Sequence, residues 1–226
     1  MNWLQKRIIN QKKIKIVSFD VFDTLVERKV IIPSDVFAIV GEKILGKQTA
    51  ETFRKDRIIA EREARKGQIS KEVTIQQIYD FLPKEYESFR LELMEEEMAE
   101  EINTCYPKNP IQKAYQYCVL LSKEVIITTD MYLPREVIEK ILNKCGYKDY
   151  SSLYLSNEYN ASKRNGDLFD IILKEKKITG KEILHIGDSP KADFISAKKR
   201  GINAIFVPKK KWIRGKLYEK SLRNKR

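Results

Sequence analysis

The 226-residue sequence predicts an α/β protein, a doubly wound sheet with a parallel core into which one helical segment is inserted. Three observations carry this expectation. Short β-rich apolar runs alternate with stretches of helical periodicity over the second half of the chain. A further apolar run stands near the start, cut off from the others by a long stretch, about Pro33 to about Tyr106, with no convincing strand. Carboxylates stand just past several of these runs, where open α/β sheets bind their ligands.

Taken in order, residues 14–19 (IKIVSF) read as the first buried strand, and 124–128, 152–155, 182–186 and 203–207 as the others. Between them, 110–121 and 134–145 read as helices, the second with Pro134 suited to a first turn and Gly146 to a stop. Helices are also expected over 166–176 and 190–200, the latter stopped by Gly201. The insertion shows four helical stripes: Val36, Phe37, Val40 and Ile44; Phe53, Arg57, Ala60 and Ala64; Ile75, Ile78 and Leu82 behind Thr74 as N-cap; and Leu91, Met94, Met98 and Ile102. The acidic run Glu95-Glu96-Glu97 and Glu100-Glu101 lies off that last stripe and is read as a solvated helix face rather than a metal site.

Composition narrows the class. Lys and Arg number 44 against 32 Asp and Glu, a net charge of +12, with 42% hydrophobic residues, enough to build a sizeable core and too many for a disordered chain. Residues 1–15 and 208–226 together carry +13, so the body, 16–207, sums to −1. A nucleic-acid-binding fold would spread basic residues through its body, and no specific nucleic-acid motif is present. For the basic ends two readings stand: solvated charge, or docking on anionic lipid, nucleic acid or an acidic partner. No apolar run approaches the ~18 residues of a transmembrane span, and residues 1–13 lack a signal-type apolar core, so a cytoplasmic protein is expected. Cys105, Cys118 and Cys145 form no CxxC pair and are read as reduced interior thiols.

The strand ends carry the chemistry. The first strand runs into Asp20-Val21-Phe22-Asp23-Thr24-Leu25, the second into Thr128-Thr129-Asp130, and the fourth into Gly187-Asp188-Ser189-Pro190-Lys191-Ala192-Asp193, with Lys163 in the loop after the third. Aspartates from different strand tips make a hard oxygen site of the kind Mg²⁺ favours, and a lysine with a threonine hydroxyl can hold a phosphoryl group against it. Such a set suits phosphoryl transfer to a carboxylate.

In these four motifs, in this order, the chain resembles the haloacid dehalogenase-like (HAD) superfamily of hydrolases. The finer pattern, SFDVFDTLVER, FRKDRIIAEREAR, EVTIQQIYDFL, TTDMYLP, SKRNGDLF and HIGDSPKAD, resembles a bacterial branch associated with glycosyltransferase and cell-surface polysaccharide genes. The resemblance implies a Rossmann-like core over 1–30 and 107–208, a helical cap over 31–106 and a basic C-terminal extension over 209–226. It implies Asp20 as nucleophile and Mg²⁺ ligand, Asp188 as second metal carboxylate, Asp193 as its support, and the backbone carbonyl of Phe22 as a further ligand. Thr129 would hold phosphoryl oxygens with Asp130 beside it, Lys163 would neutralise charge on Asp20 and phosphate, and Thr24 would brace the loop and face substrate; Thr128 competes with Thr129.

One departure stands out. Family phosphatases place an acid/base Asp two residues past the nucleophile, where this chain has Phe22, and such a group is commonly worth ~10²–10⁴ in rate. The expected function is a Mg²⁺-dependent phosphatase acting on a small phosphorylated metabolite, a sugar phosphate or nucleotide-linked compound. The alternatives are a weakly active or non-hydrolytic regulatory protein, for which Phe22 speaks, and a dehalogenase, against which Asp188 and Asp193 speak. His185, the one histidine, is read as a core or supporting group. Tyr132, Arg57 and Arg135 are open to substrate contact or to packing and surface roles.

Overall fold

The structure, a computed structural model, describes residues 3–9, 13–68, 70 and 72–209. Its strands are β1 (Ile16–Phe19), β2 (Val26–Arg28), β3 (Cys105–Pro107), β4 (Glu124–Thr129), β5 (Ser152–Leu155), β6 (Ile183–Gly187) and β7 (Asn203–Phe206). Its helices are α1 (Trp3–Ile9), α2 (Asp35–Leu45), α3 (Ala50–Lys66), α4 (Ile75–Tyr79), α5 (Arg90–Thr104), α6 (Asn109–Leu120), α7 (Arg135–Lys144), α8 (Ser156–Tyr159), α9 (Asp167–Glu175) and α10 (Ser196–Lys199).

Five parallel strands form the sheet in the order β5-β4-β1-β6-β7. All five are strands the sequence predicts, because a strand covered on both faces reads as a continuous apolar run. Side chains alternate between two cores. Val17, Phe19, Val125, Ile127, Leu184 and Ile186 pack to one side with α1, α6 and α7. Ile16, Ile126 and Ile183 pack to the other with α9 and α10. From β1 the chain builds outward through β4 to β5, then returns to lay β6 and β7 on the opposite flank. That reversal beside β1 opens a crevice at the carboxyl ends of β4, β1 and β6.

The segment between β1 and β4 is mostly helical, as expected, with α2 packed on α3 and α5, and α4 on α3 and α5. Thr74 caps α4 as the sequence predicts: its hydroxyl accepts from Gln77 N and its own N–H donates to the Gln77 side chain. Two expectations fail here. The stretch is not strand-free, since β3 at its end pairs antiparallel with β2, forming a two-stranded ribbon where the chain leaves and re-enters the core. Three-residue strands give no period that a sequence can show.

The acidic run of α5 is solvated only in part. Glu95 is exposed and Met94, Met98 and Ile102 pack on the core as the stripe suggests, but Glu97, Glu100 and Glu101 are buried and Leu91 is 63% exposed. Each buried acid has a basic partner from elsewhere: Glu97 grips Arg57 at 2.7 and 2.8 Å, Glu101 grips Arg28 at 2.8 and 3.2 Å, and Glu100 meets Lys43 at 2.5 Å. Buried carboxylates so paired and hydrogen-bonded are compatible with a core. Arg57 is fully buried, with its guanidinium over Phe37, Tyr79 and Tyr132, and so is a packing residue, whereas Arg135 pairs with Glu158 at the surface.

The N-terminal basic stretch is in part a helix: Leu4 and Ile8 of α1 are buried while Lys6 and Arg7 face solvent. Beyond Lys209 the basic extension lies outside the described residues. Cys105, Cys118 and Cys145 are buried free thiols. Among the described residues no helix is long and apolar enough to cross a membrane.

Candidate active site

The three strands at the crevice each end in an aspartate: Asp20 after β1, Asp130 after β4 and Asp188 after β6. Because β1 lies between β4 and β6, these tips converge on one cavity of about 750 Å³. Asp20, Asp188 and Asp193 form an acidic cluster whose carboxylate oxygens lie within 4.8 Å of one another, all three residues buried.

Asp193 reaches this cluster through an irregular turn. The expected helix over 190–200 begins as a π turn, Pro190–Ile195, before α10. Ser189 accounts for the widening: its carbonyl accepts from both Asp193 N and Phe194 N, and its hydroxyl accepts from Ala192 N. The Asp193 carboxylate folds back to accept from Ser189 N at 2.7 Å. It then lies directly over Gly187, where a Cβ would stand 2.3 Å from Asp193 Cγ, so only glycine fits there.

Lys163, not its neighbour Arg164, is the lysine of the site. It is 2% exposed, and its ammonium donates to Asp20 Oδ1 at 2.5 Å and to Asp193 Oδ1 at 2.6 Å. Asp130 fixes the loop that carries it, accepting Lys163 N on one oxygen and Arg164 N on the other. Asp130 thus holds the lysine loop while also lining the cavity.

Strand alternation separates the two threonines. Thr129 lines the cavity, whereas the Thr128 hydroxyl turns into the sheet to meet Ser18 Oγ at 2.9 Å. Ser18 stands opposite His185 in register and meets its Nδ1 at 2.8 Å, while His185 Nε2 lies 3.1 Å from Asp193 Oδ1. Burial lowers the His185 pKa, so the ring is neutral. A carboxylate only accepts, so Nε2 carries the hydrogen, Nδ1 accepts from Ser18, and Ser18 accepts from Thr128. His185 therefore orients Asp193 from within the sheet, as a supporting group.

The loop after β1 turns at Asp23, whose φ of 59° is left-handed, a conformation aspartate tolerates better than most residues. Lys108 Nζ donates to the Asp23 carbonyl at 2.6 Å and steadies the turn. Thr24 is fully buried and donates to Asp188 Oδ1 at 3.4 Å, which places it behind the aspartate rather than on the cavity wall. Phe22 lines the cavity, and the Arg28 guanidinium stacks over its ring at 4.1 Å. Where the resemblance leads one to expect an acid, the wall is an aromatic ring under an arginine.

Arg28 sits on β2 at the end of the SFDVFDTLVER stretch, where the sequence gives it no role of its own. Lys209 falls in the stretch read as a tail, yet its ammonium lies 2.6 Å from Asp23 Oδ2 and 2.9 Å from Asp188 Oδ2.

Charge balance at the cluster is tight. Burial holds the Asp20 pKa well above the usual carboxylate value, reinforced by Asp193 and Asp188 and opposed by Lys163. Asp188 is raised too, chiefly by burial and against the pull of Lys209. At Asp193 burial also pushes upward, but Lys163 and His185 outweigh it and hold the carboxyl below its ordinary range. One buried ammonium therefore keeps one of its two aspartates ionised and leaves Asp20 short of positive charge.

Comparison with known proteins follows this geometry. A 2-haloacid dehalogenase from Pseudomonas syringae superposes with a TM-score of 0.61 at 17% identity, covering 85% of this chain and 86% of that one. A predicted phosphoglycolate phosphatase from Haemophilus somnus gives 0.58 at 14%, covering 86% and 85%. A putative HAD-hydrolase from Bacillus subtilis bound to magnesium gives 0.60 at 14%, covering 87% and 89%. At such identities these likenesses establish the fold alone. None of the curated protein sequences matches the chain. Residues 17–207, from the first residues of β1 to the end of the sheet, match the family described as haloacid dehalogenase-like hydrolase, and the chain belongs to that family.

Proposed function

We propose that the protein is a Mg²⁺-dependent phosphatase that forms an aspartyl-phosphate on Asp20 and acts on a small phosphorylated metabolite, a sugar phosphate or nucleotide-linked compound. The observation that carries this reading is the acidic cluster of Asp20, Asp188 and Asp193 with Lys163 bound across two of its members. The residues fit a divalent cation. They are hard oxygen donors, burial raises Asp20 and Asp188, and Asp188 Oδ2 is buried with no hydrogen bond in good geometry. Asp20, Asp188 and the Phe22 carbonyl would hold the ion and Asp193 would support it. When bound, Mg²⁺ neutralises the cluster and draws charge from the phosphoryl oxygens.

Lys163 keeps one oxygen of Asp20 engaged, leaving the other to attack phosphorus as the bond to the leaving oxygen breaks. Thr129 and the Lys163 ammonium orient the phosphoryl oxygens, and water then attacks the acyl phosphate, releasing phosphate and restoring Asp20. Helices α2 to α5 act as a cap that supplies the substrate-selective wall, and Thr24 braces Asp188 from behind. The buried free thiols fit a reducing compartment, and we place the enzyme in the cytoplasm.

A screen of phosphorylated metabolites with Mg²⁺ and with chelator tests the reading, and Phe22→Asp belongs beside it. Native enzyme should cleave aryl phosphates and anhydrides much faster than alkyl phosphates, since residue 22 offers no side-chain acid to protonate the leaving oxygen. Phe22→Asp should raise alkyl phosphate turnover by about tenfold or more and leave aryl phosphates nearly unchanged. Phosphate release that persists undiminished in chelator would overturn the metal-dependent reading.

A further inference from the structure

We propose that Lys209 is a positioning residue of the metal site, an ammonium that holds Asp188 and Asp23 until a divalent cation displaces it, so that cation binding is an exchange. The proposal rests on the metal-dependent reading above. Its first support is geometric: Lys209 Nζ lies 2.6 Å from Asp23 Oδ2 and 2.9 Å from Asp188 Oδ2. The contact with Asp188 is an ion pair outside hydrogen-bonding angles, and that buried oxygen has no hydrogen-bond partner. The ammonium therefore contacts the oxygen that a hard cation would use, without satisfying it.

The backbone explains why Lys209 stands here. β7 pairs in parallel with β6, and just past its end Val207 N donates to Gly187 O at 2.8 Å. Gly187 directly precedes Asp188, so the sheet itself delivers residue 209 to the strand tips. Placement is set by strand pairing.

The two lysines of the site differ in how they are held. The Lys163 side chain is 3% exposed and sealed between Asp20 and Asp193, whereas the Lys209 side chain is 42% exposed at the rim. A flexible four-carbon stem at the surface can swing its ammonium into water with little loss. An Mg²⁺ ion on Asp188 would compete with the ammonium for the same carboxylate and set two cations against each other. With the ion bound, Lys209 retains Asp23 alone. With the ion removed, it returns to Asp188 and relieves repulsion among the carboxylates at the strand tips.

The experiment compares full-length native protein with Lys209→Gln and Lys209→Arg in the absence of substrate. Mg²⁺ affinity is read by calorimetry, Mn²⁺ affinity by electron paramagnetic resonance, and Tm with and without Mg²⁺. Lys209→Gln should bind either ion roughly three- to tenfold more tightly, the scale expected of a partly exposed ion pair removed from competition. It should also melt at a lower temperature without Mg²⁺ and gain more on adding it, while Lys209→Arg stays near native. Unchanged or weaker ion binding by Lys209→Gln would overturn the exchange. Failure of native protein and variant alike to bind either ion would instead overturn the metal-dependent reading, and the exchange with it.

Discussion

Asp20→Asn should lower phosphate release by at least about 10³-fold, while circular dichroism and Tm show a folded protein. The amide is nearly the shape of the carboxylate, so the side chain still fits at the buried tip of β1. What it loses is the nucleophile and a negative charge against Lys163, whose ammonium lies 2.5 Å from Asp20 Oδ1. Fold stability should hold or rise slightly, since burial disfavours the Asp20 charge in the first place. Residual turnover within tenfold of native would show that another group attacks the substrate.

The second large effect is on stability, far from the chemistry. Arg57 is completely buried, bound bidentate to Glu97, with Tyr79 OH donating to the same carboxylate at 2.8 Å. Arg57→Ala leaves Glu97 buried without a cation, and Glu97→Ala leaves Arg57 only its 3.3 Å contact with Glu61; each should cost about 3–5 kcal/mol. That is a large fraction of a typical folding free energy of about 5–15 kcal/mol. Replacing both by apolar residues of similar volume, Arg57→Met with Glu97→Leu, removes both charges together and should recover most of the loss. Urea midpoints of Arg57→Met, Glu97→Leu and the variant carrying both measure the coupling. Additive losses would mean that the pair is not the unit of stability in the helical segment.

The sheet and the chemical side chains were legible in sequence for physical reasons that the rest of the molecule lacks. Strands buried on both faces are mostly apolar, and ligands of open α/β sheets bind at their carboxyl ends, so Asp20, Asp130 and Asp188 stand out by position. The acidic run of α5 misleads because its partners are remote: Arg57 is 40 residues from Glu97, and Arg28 is 73 from Glu101. Local periodicity cannot see a salt bridge closed over such distances. The β2–β3 ribbon is hidden likewise, since each strand is three residues long and pairs across the whole helical segment. Lys209 was unreadable because a basic run looks solvated in sequence, and only the pairing of β7 with β6 brings its first lysine to the site. The choice between Thr128 and Thr129 needed the structure as well, because the sequence does not say where the strand ends and which face then looks into the cavity.

The absence of a side-chain acid/base at residue 22 has a kinetic consequence that permits a direct test. The same group that protonates a leaving oxygen would later activate water, so on the proposed mechanism its absence should slow hydrolysis of the acyl phosphate and let that intermediate accumulate. Acid-quenching native protein within a single turnover of an aryl phosphate in Mg²⁺, followed by peptide mass spectrometry, should find a hydroxylamine-labile phosphoryl group on Asp20, absent from Asp20→Asn and from samples quenched in chelator. An alkyl ester on Asp20 after incubation with a 2-haloacid, with no phosphoryl adduct from any phosphate tried, would contradict the account.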